Sequence, residues 1–232
     1  MQRFFDVFFA SLALAILSPA LVIIGLILRF SGEGEVIYKQ ERVGLFRDNF
    51  HIFKFATMLK DSPSLNGGTL TLKDDPRVLP FGSFLRKTKI NELPQLINVL
   101  KGDMSIIGPR PLVPNGELNY AIDASDFIRS VRPGLAGVGS LVLRDEESYY
   151  SHRDDAASFY KHVISPYKER LEVWYVENRT LGLYFQIIFL TLVAVSNKNI
   201  DVFKYLKSIP KLPDDMIRSK AKKYSLERNI VK

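Results

Sequence analysis

The sequence predicts a mixed α/β (α+β) fold, a small and mainly helical domain with a short β element that follows an apolar N-terminal segment. Residues 7–28 hold no charged side chain. Two strand-like runs, VIYKQERVG and FHIFKFATM, come soon after that segment. Farther along, apolar residues recur mainly at helical spacing. The chain has 232 residues, enough for one fair-sized domain and a smaller element.

The composition excludes several classes of chemistry. The chain has no cysteine, which rules out disulfides, thiol catalysis, zinc-thiolate sites and iron–sulfur clusters, and which permits a reducing cytosol. The formal net charge is +7, and residues 197–232 hold ten Lys or Arg against four Asp or Glu. Because nearly all the excess lies in this basic tail, we expect the tail to contact anionic lipid rather than nucleic acid.

The apolar segment predicts a membrane element. Its 22 residues are long enough to cross a hydrocarbon core of roughly 30 Å, and they exceed the usual signal-peptide core of about 7–15 residues. Pro19 removes a backbone hydrogen bond, and the hydroxyl of Ser18 can satisfy the freed carbonyl, so we expect a bend there. Arg3 and Arg29 flank the segment, as suits a hairpin that returns to the cytoplasmic face. A kinked span fits the composition equally well.

Residues 86–111, RKTKINELPQLINVLKGDMSIIGPRP, form the most distinctive stretch. We expect Asn91 to cap a helix with Pro94 in its first turn, so that free amides face a phosphate. Glu92 is the acid at this helix start, among several cations. Arg110 lies between two prolines, which restrict the backbone and offer its guanidinium from a stiff turn suited to phosphate.

The remaining polar residues have simpler interpretations. Positions 61–82 are rich in Gly, Pro, Asp and Ser, which is typical of an irregular loop. The other candidates are expected to be solvated. The polar strand residues are expected on a solvated strand face: Lys39, Gln40, Arg42 and Lys54. The acids Asp145, Glu146 and Glu147 are expected at a solvated helix start rather than in a metal site, and His152 and His162 are expected at the surface.

Two helices are predicted in the second half of the chain. Residues 156–178 show an apolar helical face that is interrupted at Ser165-Pro166 and formed by Phe159, Val163, Leu171, Trp174 and Tyr175. Residues 180–196 carry no charge but are marginal for crossing a bilayer, so we expect a buried or interfacial helix. Trp174 and this helix could also bury against a second copy in a homo-oligomer.

The order of these motifs resembles a known family. The apolar segment with Ser-Pro, then QERVG, FKFATM, DPRVLPFGSFLRKTKINELPQLINVLKGDMSIIGPRP and RPGLAG, is similar to the bacterial sugar transferases, the monotopic polyprenol-phosphate phosphoglycosyl transferases. The likeness covers roughly residues 1–195, and its most specific part is LPQLINVLKGDMSIIGPRP.

The resemblance implies an enzyme on the cytoplasmic face of the bacterial inner membrane. Such an enzyme transfers a phospho-sugar from a UDP-sugar to undecaprenyl phosphate, releases UMP and begins a surface glycan such as an exopolysaccharide. The resemblance also implies a re-entrant membrane hairpin over residues 1–30 that breaks at Ser18-Pro19, a catalytic domain over residues 31–196, and the basic tail over residues 197–232.

The family's chemistry uses an Asp-Glu pair, in which the aspartate attacks the β-phosphorus and Mg²⁺ neutralises the diphosphate. The basic residues of the family's site carry over to Arg86, Lys54 and Arg110, which implies that they bind phosphate. Asn91 stands at the nucleophile position, and Glu92 is the acid that remains, so the catalytic and Mg²⁺-binding positions are Asn91 and Glu92. An amide cannot form an acyl phosphate.

Three explanations of this departure remain. In the first, Glu92 serves as the nucleophile while Asn91 keeps a capping or metal-facing role. In the second, the chain is a catalytically silent binder of nucleotide sugar or lipid phosphate. In the third, an aspartate was deliberately replaced to trap a complex. Ala56 also stands where many members have a cation, and the paired loss of one carboxylate and one cation preserves the local charge balance. This favours a working natural variant. A membrane scaffold of a polysaccharide assembly complex is a further class of function.

Overall fold

The computed structural model describes residues 1–31, 33–62, 75–114, 120–150, 152–196 and 200–220. It is mainly helical with two small sheets, which confirms the predicted mainly helical domain with a short β element. The helices are α1 (Gln2–Phe30), α2 (Pro80–Lys87), α3 (Gln95–Lys101), α4 (Ile122–Arg129), α5 (Val138–Val142), α6 (Ala156–Phe159), α7 (Ser165–Asn178) and α8 (Leu181–Ser196), and the strands are β1 (Ile37–Val43), β2 (Asn49–Phe55), β3 (Ser105–Ile107) and β4 (Gly134–Ala136).

The two predicted strands form an antiparallel hairpin, β1 with β2, in which Ile37 pairs with Phe55. The loop predicted over 61–82 is shorter than expected, since α2 already begins at Pro80, where a proline is tolerated in the first turn. Residues 63–74 of that loop lie outside the described part of the chain. The second sheet pairs β3 with β4 in parallel, Ser105 opposite Gly134, and was not foreseen.

Helix α1 continues across Pro19. The Ser18 hydroxyl donates to the carbonyl of Ala15 at 3.0 Å, and this is the carbonyl that would otherwise accept from an amide at position 19. The expected rescue of the freed carbonyl is thereby confirmed. The helix is long and apolar enough to cross a membrane by length and composition.

Both ends of α1 rest on the domain. Near its start, Ala10 packs among Ile52, Leu96 and Val99, and near its end Leu28 is buried against Phe55 and Leu85. Between these contacts, residues 15–20 are largely exposed. The two ends of the helix therefore contact the same domain.

The main core lies beneath α7 and α8. It includes Leu171 and Tyr175 from α7 and Tyr184 and Ile187 from α8, with Trp174 packed partly against it. The predicted helix over 156–178 is confirmed, with a π-helical turn at Tyr160–Ile164 just before Ser165-Pro166. One face of α8 is buried as expected.

Part of the basic tail belongs to this core. Val202, Leu206, Ile209 and Met216 are buried among the side chains of α7 and α8, although the sequence suggested a separate tail from 197 onwards. Lys220 lies over the ring of Tyr149. Residues 221–232, the last part of the basic tail, lie outside the described part of the chain.

The predicted helix cap at Asn91 is wrong. Asn91 lies in a 3-10 turn, Ile90–Glu92, and α3 begins only at Gln95 with Pro94 before it. Pro94 has no amide to donate to the carbonyl of Ile90, which instead accepts from Leu93 at 3.1 Å, so the chain winds in tighter turns through the proline. The helix that follows has seven residues, and the expected array of free amides in front of a phosphate is not formed.

The close approach of β3 and β4 yields a stability prediction. A Cβ at Gly134 would lie 2.1 Å from the Gly108 nitrogen and 2.4 Å from the Ala136 oxygen, so Gly134→Ala is expected to lower the free energy of unfolding by about 2–4 kcal/mol. Gly182→Ala is the matched control, because the nearest atom would be 3.7 Å away and alanine favours the helix. Thermal unfolding in detergent compares them; equal unfolding temperatures for both variants would contradict this packing.

Candidate functional site

The candidate site is centred on the carboxylate of Glu92. Its Oε1 lies 3.2 Å from Lys54 Nζ on β2 and 3.7 Å from Arg110 Nη2. These residues come from three separate segments of the chain, and the 3-10 turn at Ile90–Glu92 is what brings the acid to the two cations. Three of the predicted site residues therefore meet.

Burial and charge act in opposite directions on this acid. Burial raises the pKa of Glu92, but the charges of Lys54, Arg110 and Lys89 together outweigh it and hold the pKa at about 2. Glu92 is therefore ionised throughout the neutral range.

The same surroundings lower the pKa of Lys54. Burial is the largest cause, Arg110 and Arg42 lower it further, and Glu92 opposes them, with the result that the pKa is about 8. Lys54 is a cation at neutral pH but loses its proton at a pH where an ordinary lysine keeps it.

Arg42 is a site residue that the sequence assigned to a solvated strand face. It is partly buried, donates from Nη1 to the Pro111 carbonyl at 3.1 Å and from Nη2 to Gln40, and its buried Nε has no hydrogen-bond partner. Burial and the charge of Arg110 lower the pKa of Arg42 to about 10. The expectation of a solvated face is wrong for both Arg42 and Lys54, because these two side chains turn toward the GPRP turn and Glu92.

Two other predicted site residues make no described hydrogen bond or ion pair with Glu92. Asn91 is 7% exposed, and its Oδ1 is buried with no hydrogen-bond partner. Arg86 donates from Nη1 toward the sulfur of Met58 at 3.5 Å and makes no described contact with Glu92. Lys89, rather than Arg86, is the further cation whose charge lowers the pKa of Glu92.

A buried amide fixes the strand that bears Lys54. Asn98 on α3 accepts from the Phe53 amide at 3.0 Å and donates to the His51 carbonyl at 2.7 Å. It thereby completes two backbone hydrogen bonds at the free edge of β2, on either side of Ile52. Sequence reasoning missed it; the available signal was a polar amide inside the apolar run LPQLINVL.

Two side chains of α7 form hydrogen bonds with the segment that carries Arg110. Glu172 accepts from the Arg110 amide at 3.3 Å, and the Tyr175 hydroxyl donates to the Ile107 carbonyl at 3.1 Å. Burial raises the pKa of Glu172 to about 7. Tyr175 was expected on the apolar face of this helix, but its hydrogen bond was not foreseen, and Glu172 was not singled out because its partner lies 62 residues away along the chain.

The remaining acids and histidines lie in different surroundings. Glu146 is not a solvated helix residue, because it pairs with Lys168 at 2.7 Å in a partly buried contact. His162 is exposed as predicted, whereas His152 is half-buried with Nε2 3.3 Å from the Ser219 hydroxyl. Within the described ranges, no group of three or more His, Asp or Glu side chains could hold a metal ion by itself.

The arrangement suits an anionic ligand. Arg42, Lys54 and Arg110 lie near Glu92. The charges of Glu146 and Glu172 also act on Arg110, but Glu146 is paired with Lys168 and Lys89 adds a further cation, so positive charge remains in excess around Glu92. Arg110 exposes 45% of its side chain, so its guanidinium can contact a group arriving from solvent. Guanidinium and ammonium groups at a partly desolvated site are typical of phosphate binding.

Several known proteins are similar to this chain over most of its length. The chain matches the family described as bacterial sugar transferase over residues 1–198. It is 36% identical over 208 residues to the exopolysaccharide production protein ExoY of Sinorhizobium fredii, covering 84% of each chain. It is 32% identical to the undecaprenyl-phosphate galactose phosphotransferase of Salmonella typhimurium over 86% of this chain and 41% of that longer protein.

A similar likeness extends to the undecaprenyl-phosphate glucose phosphotransferase of Komagataeibacter xylinus, at 32% identity over 82% of this chain and 35% of that protein. The matched residues include α1, both small sheets and every member of the Glu92 cluster. The chain therefore belongs to the bacterial sugar transferase family.

Proposed function

We propose that this protein transfers a phospho-sugar from a UDP-sugar to undecaprenyl phosphate, with release of UMP, as the first membrane step in the synthesis of an exopolysaccharide or another surface glycan. The observation that carries the proposal is the ionised Glu92 carboxylate between Lys54 and Arg110, in a chain of this family. The relatives named as undecaprenyl-phosphate sugar phosphotransferases support the choice of lipid acceptor.

The nucleophile in this proposal is Glu92. A carboxylate oxygen of Glu92 attacks the β-phosphorus, the bond from that phosphorus to the bridging oxygen breaks, and UMP leaves with the oxygen. A phosphate oxygen of the lipid then attacks the same phosphorus, and the acyl phosphate bond breaks to restore the carboxylate. Lys54 and Arg110 stabilise the charge on the phosphoryl oxygens. Glu92 is favoured over Asn91 because its carboxylate is ionised, whereas the side-chain amide of Asn91 is uncharged and buried.

Mg²⁺ is part of the proposal. The ion takes one or two protein oxygens together with substrate phosphates and water. Glu92 supplies a carboxylate, and the adjacent Asn91 has an Oδ1 without a hydrogen-bond partner, so the two residues fit a metal that arrives with the diphosphate. Bound there, Mg²⁺ would neutralise part of the diphosphate charge.

We further propose that α1 is re-entrant and lies in the cytoplasmic leaflet of the inner membrane, where the basic tail also contacts anionic lipid. Both ends of the helix pack on the same domain, whereas a helix crossing the bilayer would carry one end away from it. The exposed apolar residues 15–20 between these contacts would lie deepest in the lipid, around the Ser18-Pro19 step.

Topology can be tested by labelling, because the chain has no cysteine of its own. One variant carries a cysteine inserted after Met1, and another carries Phe30→Cys, where the side chain is 86% exposed. We expect a membrane-impermeant maleimide to label both sites in inside-out vesicles and neither in intact spheroplasts. Labelling of the two sites from opposite faces would show a spanning helix.

The assignment of the nucleophile can be tested by UMP release from a panel of UDP-sugars in the presence of Mg²⁺ and undecaprenyl phosphate. Glu92→Gln is expected to lower turnover by roughly a thousandfold, because an amide cannot form the acyl phosphate. Asn91→Ala is the comparison variant: it removes an oxygen that faces the proposed metal but leaves the nucleophile, so turnover should fall by only about tenfold. Loss of turnover in Asn91→Ala with retention in Glu92→Gln would reverse the assignment.

The same assay separates the alternatives. Asn91 at the family's nucleophile position favours a second candidate, a catalytically silent binder of nucleotide sugar or lipid phosphate. That function predicts UDP-sugar binding without UMP release, and a gain of turnover in Asn91→Asp. A membrane scaffold for polysaccharide assembly would show neither turnover nor affinity for UDP-sugars.

Binding of UDP-sugar should depend on the protonation of Lys54. Its pKa of about 8 lies below that of an ordinary lysine, so Lys54 is charged below that pH and neutral above it. We expect the affinity for UDP-sugar, measured by calorimetry, to fall as the pH rises through 8. Lys54→Arg should keep its affinity to higher pH, because a guanidinium stays protonated. A decline that begins only near pH 10 in the parent protein would contradict this role.

A further inference from the structure

The start of α1 contains a buried carboxylate that no catalytic step above uses. Asp6 is 2% exposed. It accepts hydrogen bonds from the Ser105 hydroxyl at 2.9 Å, from the Ile106 amide at 2.9 Å and from the Tyr184 hydroxyl at 3.0 Å. One side chain thus joins α1 to β3 and to α8.

Its neighbours on α1 make further polar bonds to the same part of the domain. Gln2 donates to the Ile107 carbonyl at 3.1 Å, and Arg3 donates to the carbonyls of Val99 and Leu100 near the end of α3. The first turns of the apolar helix are therefore attached by directional hydrogen bonds, whereas its last turns are attached through the apolar contacts of Leu28.

The physical consequence is a defined orientation. The burial of apolar surface is non-directional, whereas hydrogen bonds to a carboxylate require a defined distance and direction. Three donors satisfy the buried carboxylate of Asp6. Burial and the Asp6 charge also raise the pKa of Tyr184, so its hydroxyl remains a donor.

The strand that Asp6 holds leads directly to the candidate site. Ser105 and Ile106 are followed by Gly108, whose amide donates to the Ala136 carbonyl at 3.0 Å, and then by Arg110. A Cβ at Gly108 would lie 2.5 Å from the Arg132 carbonyl oxygen, which leaves this turn little freedom. The orientation of α1 is thereby transmitted to the guanidinium beside Glu92.

We propose that Asp6 is a positioning residue that fixes the angle between the membrane helix and β3, and through it the height of Arg110 above the lipid that holds the acceptor. The acceptor part of this inference rests on the proposed function. The fixed angle does not, because it follows from the contacts of Asp6 alone.

The fixed angle can be measured without turnover. Ile16→Cys and Ile122→Cys, at side chains 67% and 75% exposed, take spin labels in the cysteine-free chain. In phosphatidylglycerol vesicles we expect one narrow distance distribution, broadened by Asp6→Ala and less so by Tyr184→Phe. Gln186→Ala on α8 is the control and should change nothing, since Gln186 bonds only to the Tyr205 carbonyl among the described contacts.

An unchanged distribution in folded Asp6→Ala overturns the proposal. If Asp6→Ala does not fold, the distance distribution of Tyr184→Phe tests the proposal instead, because this variant removes one hydrogen-bond donor to Asp6 and keeps the aromatic ring. Broadening then supports the proposal, and an unchanged distribution overturns it.

Turnover provides the second arm. Asp6→Ala should lower UMP release with undecaprenyl phosphate in vesicles by about tenfold, while UDP-sugar affinity and turnover with a short, water-soluble polyprenyl phosphate change by less than about twofold. Equal losses with both acceptors would indicate a general structural defect and overturn the proposal. A parent protein that is inactive with both acceptors would instead refute the proposed function, and the distance measurement would still decide the role of Asp6.

Discussion

The candidate site depends on the electrostatic balance at one carboxylate. Glu92 is mostly withdrawn from water, and burial alone would favour its neutral form. Lys54 and Arg110 reverse that preference, and the acid in turn keeps Lys54 protonated at neutral pH. Glu92 is charged because of Lys54 and Arg110, and Lys54 keeps its proton because Glu92 opposes burial and the charge of Arg110, so the three form one unit. A diphosphate that enters this unit meets cations that are already oriented, which lowers the cost of reorganisation during the reaction.

The rest of the fold positions the three residues of that unit. Asn98 holds β2 and hence Lys54, and the 3-10 turn before Pro94 places Glu92. Glu172 and the parallel pair of β3 with β4 hold the turn that carries Arg110. Each support is a buried polar contact or a close backbone approach, where small displacements are costly because cores are tightly packed. The site is therefore rigid even though its members come from distant segments.

Helix α1 is part of the same construction. Asp6 and Gln2 bond to β3, and Leu28 packs against Leu85 of the helix that precedes the Glu92 turn. With α1 in the bilayer, as proposed above, such a connection would relate the position of the site to the membrane surface. A soluble domain on a flexible tether would have no such fixed relation.

Local patterns in the sequence determined much of this protein. The charge-free run of residues 7–28, the β1–β2 hairpin and the helices from residue 156 onwards follow from hydrophobic periodicity, which depends on near neighbours in the chain. The motifs shared with the family indicated Lys54, Glu92 and Arg110 as site residues, and the structure brings these three together. The Ser18 hydroxyl was expected to rescue a carbonyl because that contact spans a single helical turn.

The tertiary structure alone decided which polar residues turn inward. Arg42 looked like part of a solvated strand face, and Asn98, Glu172 and Asp6 gave little local signal, because their partners lie 45 to 178 residues away along the chain. The helix expected at Asn91 began later because a proline without an amide changed the hydrogen-bond pattern. Sequence periodicity reports which face of an element is apolar, but only the packing of distant segments decides which charges meet and what their pKa values become.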